Sequence, residues 1–249
     1  MIYIFTALEC EAKPLRTLES DDVKIIVTGT GRINAAFAVG RTFPSGLTRS
    51  DLKDTLVFNI GCCGSRELDG LYIADKITDE PSGKDMYPDL QRICNVREAP
   101  VISSDSVNKD PLSGILYDME ASSFFQASSK LISPDRIFVL KAVSDNGYTE
   151  DITPSVITSL ISRHLAEIKE ITDSVITGMT DREYRDYEDI YEGFHASESM
   201  KVQIRELAEY AYSTGQDGRE LFCKEMNDIA SRKDGKEAIL RVRAYLCGG

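Results

Sequence analysis

The chain contains no tryptophan and only two histidines, and basic side chains are much scarcer than acidic ones. His164 and His195 are far apart and the six cysteines form no C-x-x-C pair, so no spacing is typical of zinc and no metal site is predicted. With 29 basic and 41 acidic residues the net charge is -12, which argues against a surface for nucleic acid or an anionic membrane. A small-molecule substrate fits this charge better.

Long apolar runs are also missing, and none approaches the length of a membrane span. The N-terminal segment has no basic start and Glu9 and Glu11 interrupt its apolar residues, so we expect no signal peptide. Reduced thiols in a cytoplasmic protein explain the cysteines most simply. The 249 residues can form one large α/β domain, or a domain of about 180 residues with an extension.

One stretch of the chain carries two candidate acids. The apolar run 137–143 is typical of a buried strand and ends at Ser144 and Asp145. Ligands of α/β sheets bind outside the carboxyl ends of the strands, which makes Asp145 a candidate site residue. Upstream, Asp118 and Glu120 precede small and aromatic residues at helical spacing, which predicts a helix with these acids in its first turn. From position alone, an acid after a strand is more often a turn opener or a helix cap.

Three earlier apolar runs also read as buried strands, and each is followed by residues that could belong to a site. They cover residues 2–8, 24–27 and 56–60. Glu11 follows the first run at the start of a predicted helix, where it either stabilises the helix dipole or presents a carboxylate to a pocket. Gly29 and Gly31 follow the second run and permit a tight turn into a helix. Residues 61–65, Gly-Cys-Cys-Gly-Ser, close the third run in a predicted turn where backbone comes close to another group.

The segment from Asp118 to Ala121, Asp-Met-Glu-Ala, followed by Lys-Ala-Val-Ser-Asp at 141–145, resembles the superfamily of purine nucleoside phosphorylases and methylthioadenosine/S-adenosylhomocysteine nucleosidases. Residues 7–11 resemble that family's first strand end, with Leu8 in place of methionine, and residues 28–36 resemble its glycine turn and helix. The resemblance covers roughly the first 175 residues, with gaps in the middle.

The resemblance implies an α/β fold with a mixed, mostly parallel central sheet flanked by helices. It implies that Asp145 protonates the purine, that Glu11 activates water and that Glu120 holds the ribose. The remaining residues implied to bind substrate are Met119, Ser144, Leu8, Cys62, Cys63, Gly64 and Val107, with Val107 standing where the family has an aromatic contact to the base. The resemblance implies no cofactor. It implies that the protein forms a homodimer.

Asn59 favours the nucleosidase branch. Phosphorylases of the superfamily tend to have arginine there to hold phosphate, and a neutral amide cannot supply paired charged donors. Water is then the expected nucleophile, and the predicted function is hydrolysis of the N-glycosidic bond of a purine nucleoside or thionucleoside with release of the free base. Arg66, just beyond the predicted turn, leaves a phosphate-dependent phosphorylase open. A catalytically weakened nucleoside-binding or interaction module is the third alternative.

The composition changes near Thr180, which predicts two domains, a nucleosidase-like α/β domain over 1–178 and an all-helical extension over 180–249. In the extension, the amphipathic patterns at 200–212, 218–232 and 235–246 predict three helices separated by glycines. Its locally basic end, with Arg241 and Arg243, could contact a protein partner, although a solvated face is more common.

Overall fold

The computed structural model describes residues 1–49, 51–90, 96–106, 111–145, 152–180, 196–213, 224–225 and 231–247. The chain forms two compact units, Met1–Gly178 and Met179–Gly249. Across these described ranges, no helix has both the length and the apolar character needed to cross a membrane. Val107, the residue expected to contact the base, lies outside the described residues.

The first unit is built on one eight-stranded sheet. Its strands are β1 Ile2–Thr6, β2 Val23–Val27, β3 Leu56–Ser65, β4 Leu71–Asp79, β5 Lys84–Met86, β6 Glu98–Ser103, β7 Leu116–Asp118 and β8 Ile137–Asp145. The pairs β1–β2, β1–β3, β3–β8, β4–β6 and β6–β7 are parallel, and the pairs β3–β7, β4–β5 and β4–β8 are antiparallel. The predicted mixed, mostly parallel sheet is therefore confirmed.

Helices flank the sheet, as predicted. They are α1 Glu9–Leu15, α2 Arg32–Thr42, α3 Ala121–Ser128 and α4 Pro154–Thr180, with short 3₁₀ turns at Arg16–Leu18 and Pro134–Arg136. Phe5 of β1 lies between α2 and α3, with its ring 5.4 Å from that of Phe124, and both side chains are completely buried. α4 is tied to α1 by the Thr158 hydroxyl, which donates to the Cys10 carbonyl over 2.8 Å. Burial of these apolar faces holds the helices on the sheet.

Two predicted boundaries were wrong, and both bear on the site. β3 does not end in a turn after residue 60 but continues to Ser65, because its backbone pairs with β8 as far as Gly64 and with β7 at residues 64 and 65. α3 does not contain the two acids in its first turn. Asp118 ends the three-residue strand β7 and Glu120 is the residue that precedes the helix.

The second unit contains α5 Glu198–Ser213 and α6 Arg232–Cys247, which pack together. Apolar residues recur at helical spacing in both helices and are buried: Ile204, Leu207 and Ala211 in α5, and Ala238, Ile239 and Val242 in α6. Two of the three predicted helices are therefore present. The predicted helix 218–232 falls almost entirely outside the described residues.

Candidate active site

The candidate site lies where three neighbouring parallel strands end. β1 pairs in parallel with β3, and β3 pairs in parallel with β8, so their carboxyl ends meet at one edge of the sheet. Glu11 lies in α1, which begins three residues after β1, and Asp145 is the last residue of β8. Ligands of α/β sheets bind at this edge.

Glu11 accepts hydrogen bonds from four donors although its side chain is buried. One carboxylate oxygen, Oε2, accepts hydrogen bonds from the Thr6 hydroxyl at 2.8 Å and from the backbone N–H groups of Ala7 at 3.0 Å and Leu8 at 2.9 Å. The other oxygen, Oε1, accepts from the backbone N–H of Cys62 at 2.8 Å. Both oxygens of a carboxylate accept hydrogen bonds, so donors on both of them fix the position and the rotation of the Glu11 side chain.

Asp145 is fixed by its neighbour and by the backbone of β3. The Ser144 hydroxyl lies 2.7 Å from Oδ2 of Asp145 and 3.1 Å from the Cys63 carbonyl oxygen. Gly64 lies opposite Asp145 in the β3–β8 register, and a β-carbon added there would lie 3.3 Å from Oδ1 of Asp145. Glycine at position 64 therefore allows the carboxylate to approach the strand closely.

The segment of β3 from Gly61 to Gly64 lies between the two acids. A β-carbon on Gly61 would lie 3.0 Å from Oε1 of Glu11, just as one on Gly64 would crowd Asp145. Three residues of strand span about 10 Å at roughly 3.3 Å per residue. Glu11 and Asp145 thus approach the same short piece of one strand from two different parts of the chain.

Glu120 is joined to this edge through the glycine turn after β2. Its Oε1 accepts a hydrogen bond from the Gly31 backbone N–H at 2.6 Å, and its side chain is buried. Gly31 has a φ of 96°, a conformation that favours glycine. Burial raises the pKa of Glu120 most, and the negative charges of Asp118 and Glu11 raise it further, while Lys141 and the Gly31 N–H oppose the shift. The negative charge of Glu11 therefore contributes to the raised pKa of Glu120.

Lys141 and Asp118 form a buried ion pair that the sequence analysis did not identify. Lys141 Nζ lies 2.6 Å from Asp118 Oδ2, and the exposed fractions of the two side chains are 2% and 0%. Burial lowers the pKa of Lys141, but Asp118, Glu120 and Glu11 outweigh it and the net shift is upward. A lysine inside an otherwise apolar strand was the available signal, because a buried ammonium needs a charged partner.

Arg32, at the start of α2, was also missed. Its guanidinium donates a hydrogen bond to Asp79 Oδ1 over 2.7 Å. It also donates to both carboxylate oxygens of Asp105, over 2.7 and 3.3 Å. Asp79 ends β4 and Asp105 follows β6, so one side chain links the glycine turn to two strand ends. Hydrogen bonds from Ser82, Ser122 and Arg32 outweigh the burial of Asp79 and lower its pKa.

The two adjacent thiols lie on different sides of β3. Cys62 lies beside Glu11, and its pKa is raised by burial and by the charge and hydrogen bond of Glu11. The Cys63 side chain is buried in the hydrophobic core, and its carbonyl accepts a hydrogen bond from the Ser144 hydroxyl. This difference follows from the alternation of side chains along a strand, which a predicted turn does not impose. Leu8 and Met119 are half-buried; the Leu8 backbone N–H donates to Glu11, and Met119 directly precedes Glu120.

Asn59, on which the choice of nucleophile depends, is buried and pairs with Phe5 of β1, whose carbonyl accepts a hydrogen bond from the Asn59 amide at 3.2 Å. Arg66 is exposed directly after β3. Within the described ranges, no group of three or more His, Cys, Asp or Glu side chains could hold a metal ion. The side chains of the edge can accept hydrogen bonds from hydroxyls, orient water and exchange a proton.

The strand order, the flanking helices and the acids at the strand ends define the nucleosidase-like α/β fold, and comparison with solved structures agrees. The 5'-methylthioadenosine/S-adenosylhomocysteine nucleosidase of Helicobacter pylori superposes with a TM-score of 0.53 at 13% identity, over 69% of this chain and 97% of that one. The enzyme of S. pneumoniae, solved with the transition-state inhibitor MT-ImmA, gives 0.51 at 16% identity, over 72% and 99%.

Futalosine hydrolase of Helicobacter pylori has a TM-score of 0.54 at 14% identity, over 69% of this chain and 97% of its own. At these identities the likeness establishes the fold, and the resemblance inferred from the sequence is confirmed at that level. No family model matches the chain, and no curated protein matches its sequence.

Proposed function

We propose that the protein hydrolyses the N-glycosidic bond of a purine nucleoside or thionucleoside and releases the free base. The observation that carries the proposal is the meeting of Glu11, Asp145 and Glu120 at one edge of the sheet, through Cys62, Gly64 and Gly31 respectively. These acids are separated by more than a hundred residues of sequence between the first and the last. The fold shared with known nucleosidases supports the same reaction class.

The proposed chemistry divides the acids between the two halves of the substrate. Cleavage builds positive charge on the ribose and negative charge on the departing base, so an acid at the base and carboxylates at the sugar stabilise both. Asp145, with Ser144 as its hydrogen-bond partner, donates a proton to the base. Glu11 orients the attacking water and accepts its proton.

Glu120 accepts hydrogen bonds from the ribose hydroxyls in this proposal. One of its oxygens is engaged by the Gly31 N–H, and the second is the acceptor offered to the sugar. Met119 packs on the sugar, and Leu8, Cys62 and Gly64 line the adjoining surface. Val107 contacts the base.

Water rather than phosphate is the proposed nucleophile. The amide of Asn59 is directed at a backbone carbonyl, and the buried cation of this region, Lys141, is already paired with Asp118. Phosphate binding favours paired charged donors. Arg66 is the basic residue that would serve a phosphorylase, so the dependence of the rate on added phosphate decides between the two reactions.

The test measures, by chromatography, the adenine released from methylthioadenosine, S-adenosylhomocysteine and adenosine in phosphate-free buffer. Asp145→Asn should lower kcat by about 10²–10⁴-fold. Asp69→Asn is the matched control, because the Asp69 side chain is fully exposed, and it should match the wild type. If the wild type releases no base from any of the three, or Asp145→Asn is as fast as the wild type, the proposal is wrong.

Two other outcomes favour the alternatives. Formation of ribose 1-phosphate only when phosphate is present favours the phosphorylase. Binding of a nucleoside by calorimetry, with no turnover, favours a binding module.

The proposal includes a cytoplasmic homodimer and a protein partner for residues 180–249. The family resemblance implies the dimer, and two apolar side chains one turn apart on α2 support it, Ile33 and Phe37, which are 85% and 67% exposed. Light scattering on the purified chain should give twice the mass of 27.7 kDa, and a monomer contradicts the dimer. A pulldown with residues 180–249 tests for the partner.

A further inference from the structure

Lys141 is a buried charged residue to which the proposed reaction gives no part. It lies in β8, four residues before Asp145, and only 1% of its surface is exposed. An ammonium group is strongly hydrated in water, so its burial costs free energy unless charged partners surround it. Its neighbours along the strand are mostly apolar, so a specific charged partner must account for its presence.

Asp118 is that partner, and the structure holds Asp118 from three directions. Lys141 Nζ contacts Oδ2 at 2.6 Å, and the Ala121 backbone N–H donates to the same oxygen at 2.9 Å. The Ser103 hydroxyl of β6 donates to Oδ1 at 2.5 Å. Ser103 also accepts a hydrogen bond from the backbone N–H of Ser122, in the first turn of α3. The ion pair therefore fixes the start of α3 relative to β6 and β8.

Glu120 lies inside this fixed segment. It follows Asp118 by two residues and immediately precedes α3, so it lies inside the turn that the Ala121 N–H closes on the Asp118 carboxylate. Its carboxylate is held on the other side by the Gly31 N–H. A change at Lys141 is therefore transmitted to Glu120 through Asp118 and the first turn of α3.

The charges around Glu120 make Lys141 the compensating group. Asp118 of β7 and Glu11 of α1 bring negative charge to Glu120, whereas Lys141 of β8 brings positive charge. Burial keeps the thiols of Cys62 and Cys63 on β3 protonated and therefore neutral, because it raises the pKa of both. Without Lys141, the carboxylates of Asp118, Glu120 and Glu11 would influence one another with no buried cation described beside them.

We propose that Lys141 is a positioning residue for the ribose end of the site. Through its ion pair with Asp118 it fixes the start of α3, and its positive charge favours the carboxylate form of Glu120, the proposed acceptor for the sugar hydroxyls. This inference rests on the proposed function and adds a residue to it. A purely structural ion pair would change stability and leave the ionisation of Glu120 unaltered, which separates the two roles.

The experiment compares Lys141→Met with Lys141→Met/Asp118→Asn. Breaking one half of a buried pair can unfold a protein, whereas neutral groups of similar size in place of both partners are often tolerated. The double variant therefore keeps the test available if the single variant does not fold. Lys76→Met is the matched control, because Lys76 forms an exposed ion pair with Asp85, 2.8 Å away.

Two readouts are taken on each folded variant. Carbon-13 labelling of glutamate carboxyl groups gives the titration of Glu120 by NMR, with Glu120→Gln to assign its signal. The pH profile of kcat/KM gives the ionisation that the free enzyme needs for the reaction. Lys141→Met should raise the pKa of Glu120, since it removes an opposite charge. The double variant should shift it in the same direction by less.

The acidic limb of kcat/KM should move upward with Glu120 in both variants, and neither readout should move in Lys76→Met. An unchanged titration of Glu120 overturns the proposal, as does a shifted titration with an unchanged acidic limb. If the wild type cleaves no nucleoside, the proposed function fails, while the titration still decides whether Lys141 controls Glu120.

Discussion

Replacement of Glu11 by glutamine tests the hydrogen-bond geometry of the site most directly. The carboxylate accepts from Thr6, Ala7 and Leu8 through Oε2 and from Cys62 through Oε1. A glutamine amide has the same shape but only one acceptor oxygen, and its nitrogen is a donor. Whichever way the amide turns, its nitrogen faces at least one N–H group.

The better orientation places the amide oxygen toward the three donors of Oε2 and leaves the Cys62 N–H without an acceptor. A buried donor without a partner costs about 1–3 kcal/mol, and loss of charge-assisted hydrogen bonds adds to this. The expected decrease in the free energy of unfolding is therefore at least about 1–3 kcal/mol. In a protein of this size, each kcal/mol lowers Tm by about 2–4 °C.

Thermal and urea unfolding followed by circular dichroism measure the effect, and Glu9→Gln is the matched control. Glu9 belongs to the same helix, and its side chain is 74% exposed in an ion pair with Arg16, so its replacement should change the free energy of unfolding by less than about 1 kcal/mol. If Glu11→Gln is as stable as Glu9→Gln, the four-donor arrangement is wrong. If folded Glu11→Gln cleaves nucleoside at the wild-type rate, its proposed role with water is wrong.

Two further predictions concern the strand edge and the ion pair. Gly64→Ala places a β-carbon 3.3 Å from the Asp145 carboxylate, so base release should slow about tenfold through misplacement, whereas Gly40→Ala, with open space around the added carbon, should not change it. Equal rates for both contradict the close approach. Because the pKa of Lys141 is raised on folding, its stabilisation is complete below about pH 10.4 and is lost as the pH rises through the folded value. Urea unfolding between pH 9 and 11.5, about the range in which unfolded lysine titrates, measures the free energy of unfolding of the wild type and of Lys141→Met/Asp118→Asn. The double variant should lose less stability as the pH rises, and the same pH dependence in both proteins contradicts the prediction.

The sequence indicated Glu11 and Asp145 as candidates because each follows an apolar run whose end is visible locally, and the family resemblance gave these two acids and Glu120 their implied roles. Ion pairs such as Lys141 with Asp118 join residues distant in the chain, and their contact depends on the pairing of β8 with both β3 and β4. That register is set by the assembled sheet, and no local pattern encodes it. The ion pairs of Arg32 with Asp79 and Asp105 were not predicted for the same reason.

The boundaries were predicted less well than the elements themselves. The two glycines at 61 and 64 suggested a turn because glycine weakens a strand, but here both accommodate carboxylates that press against a continuing strand. β7 has only three residues, too few for a period-two pattern to be recognised, so Asp118 was assigned to the following helix.

Glu11 and Asp145 both contact β3, so the proposed chemistry depends on a strand of the sheet more than on the segments that connect the strands. β3 pairs with β8 from Val57 to Gly64, and on its other edge it pairs with β1 from Leu56 to Asn59, so the sheet sets the position of the part of β3 that the two acids contact. Under the proposed function, the connecting segments are therefore the parts of the chain whose lengthening, shortening or replacement would change the base preference without moving the two acids.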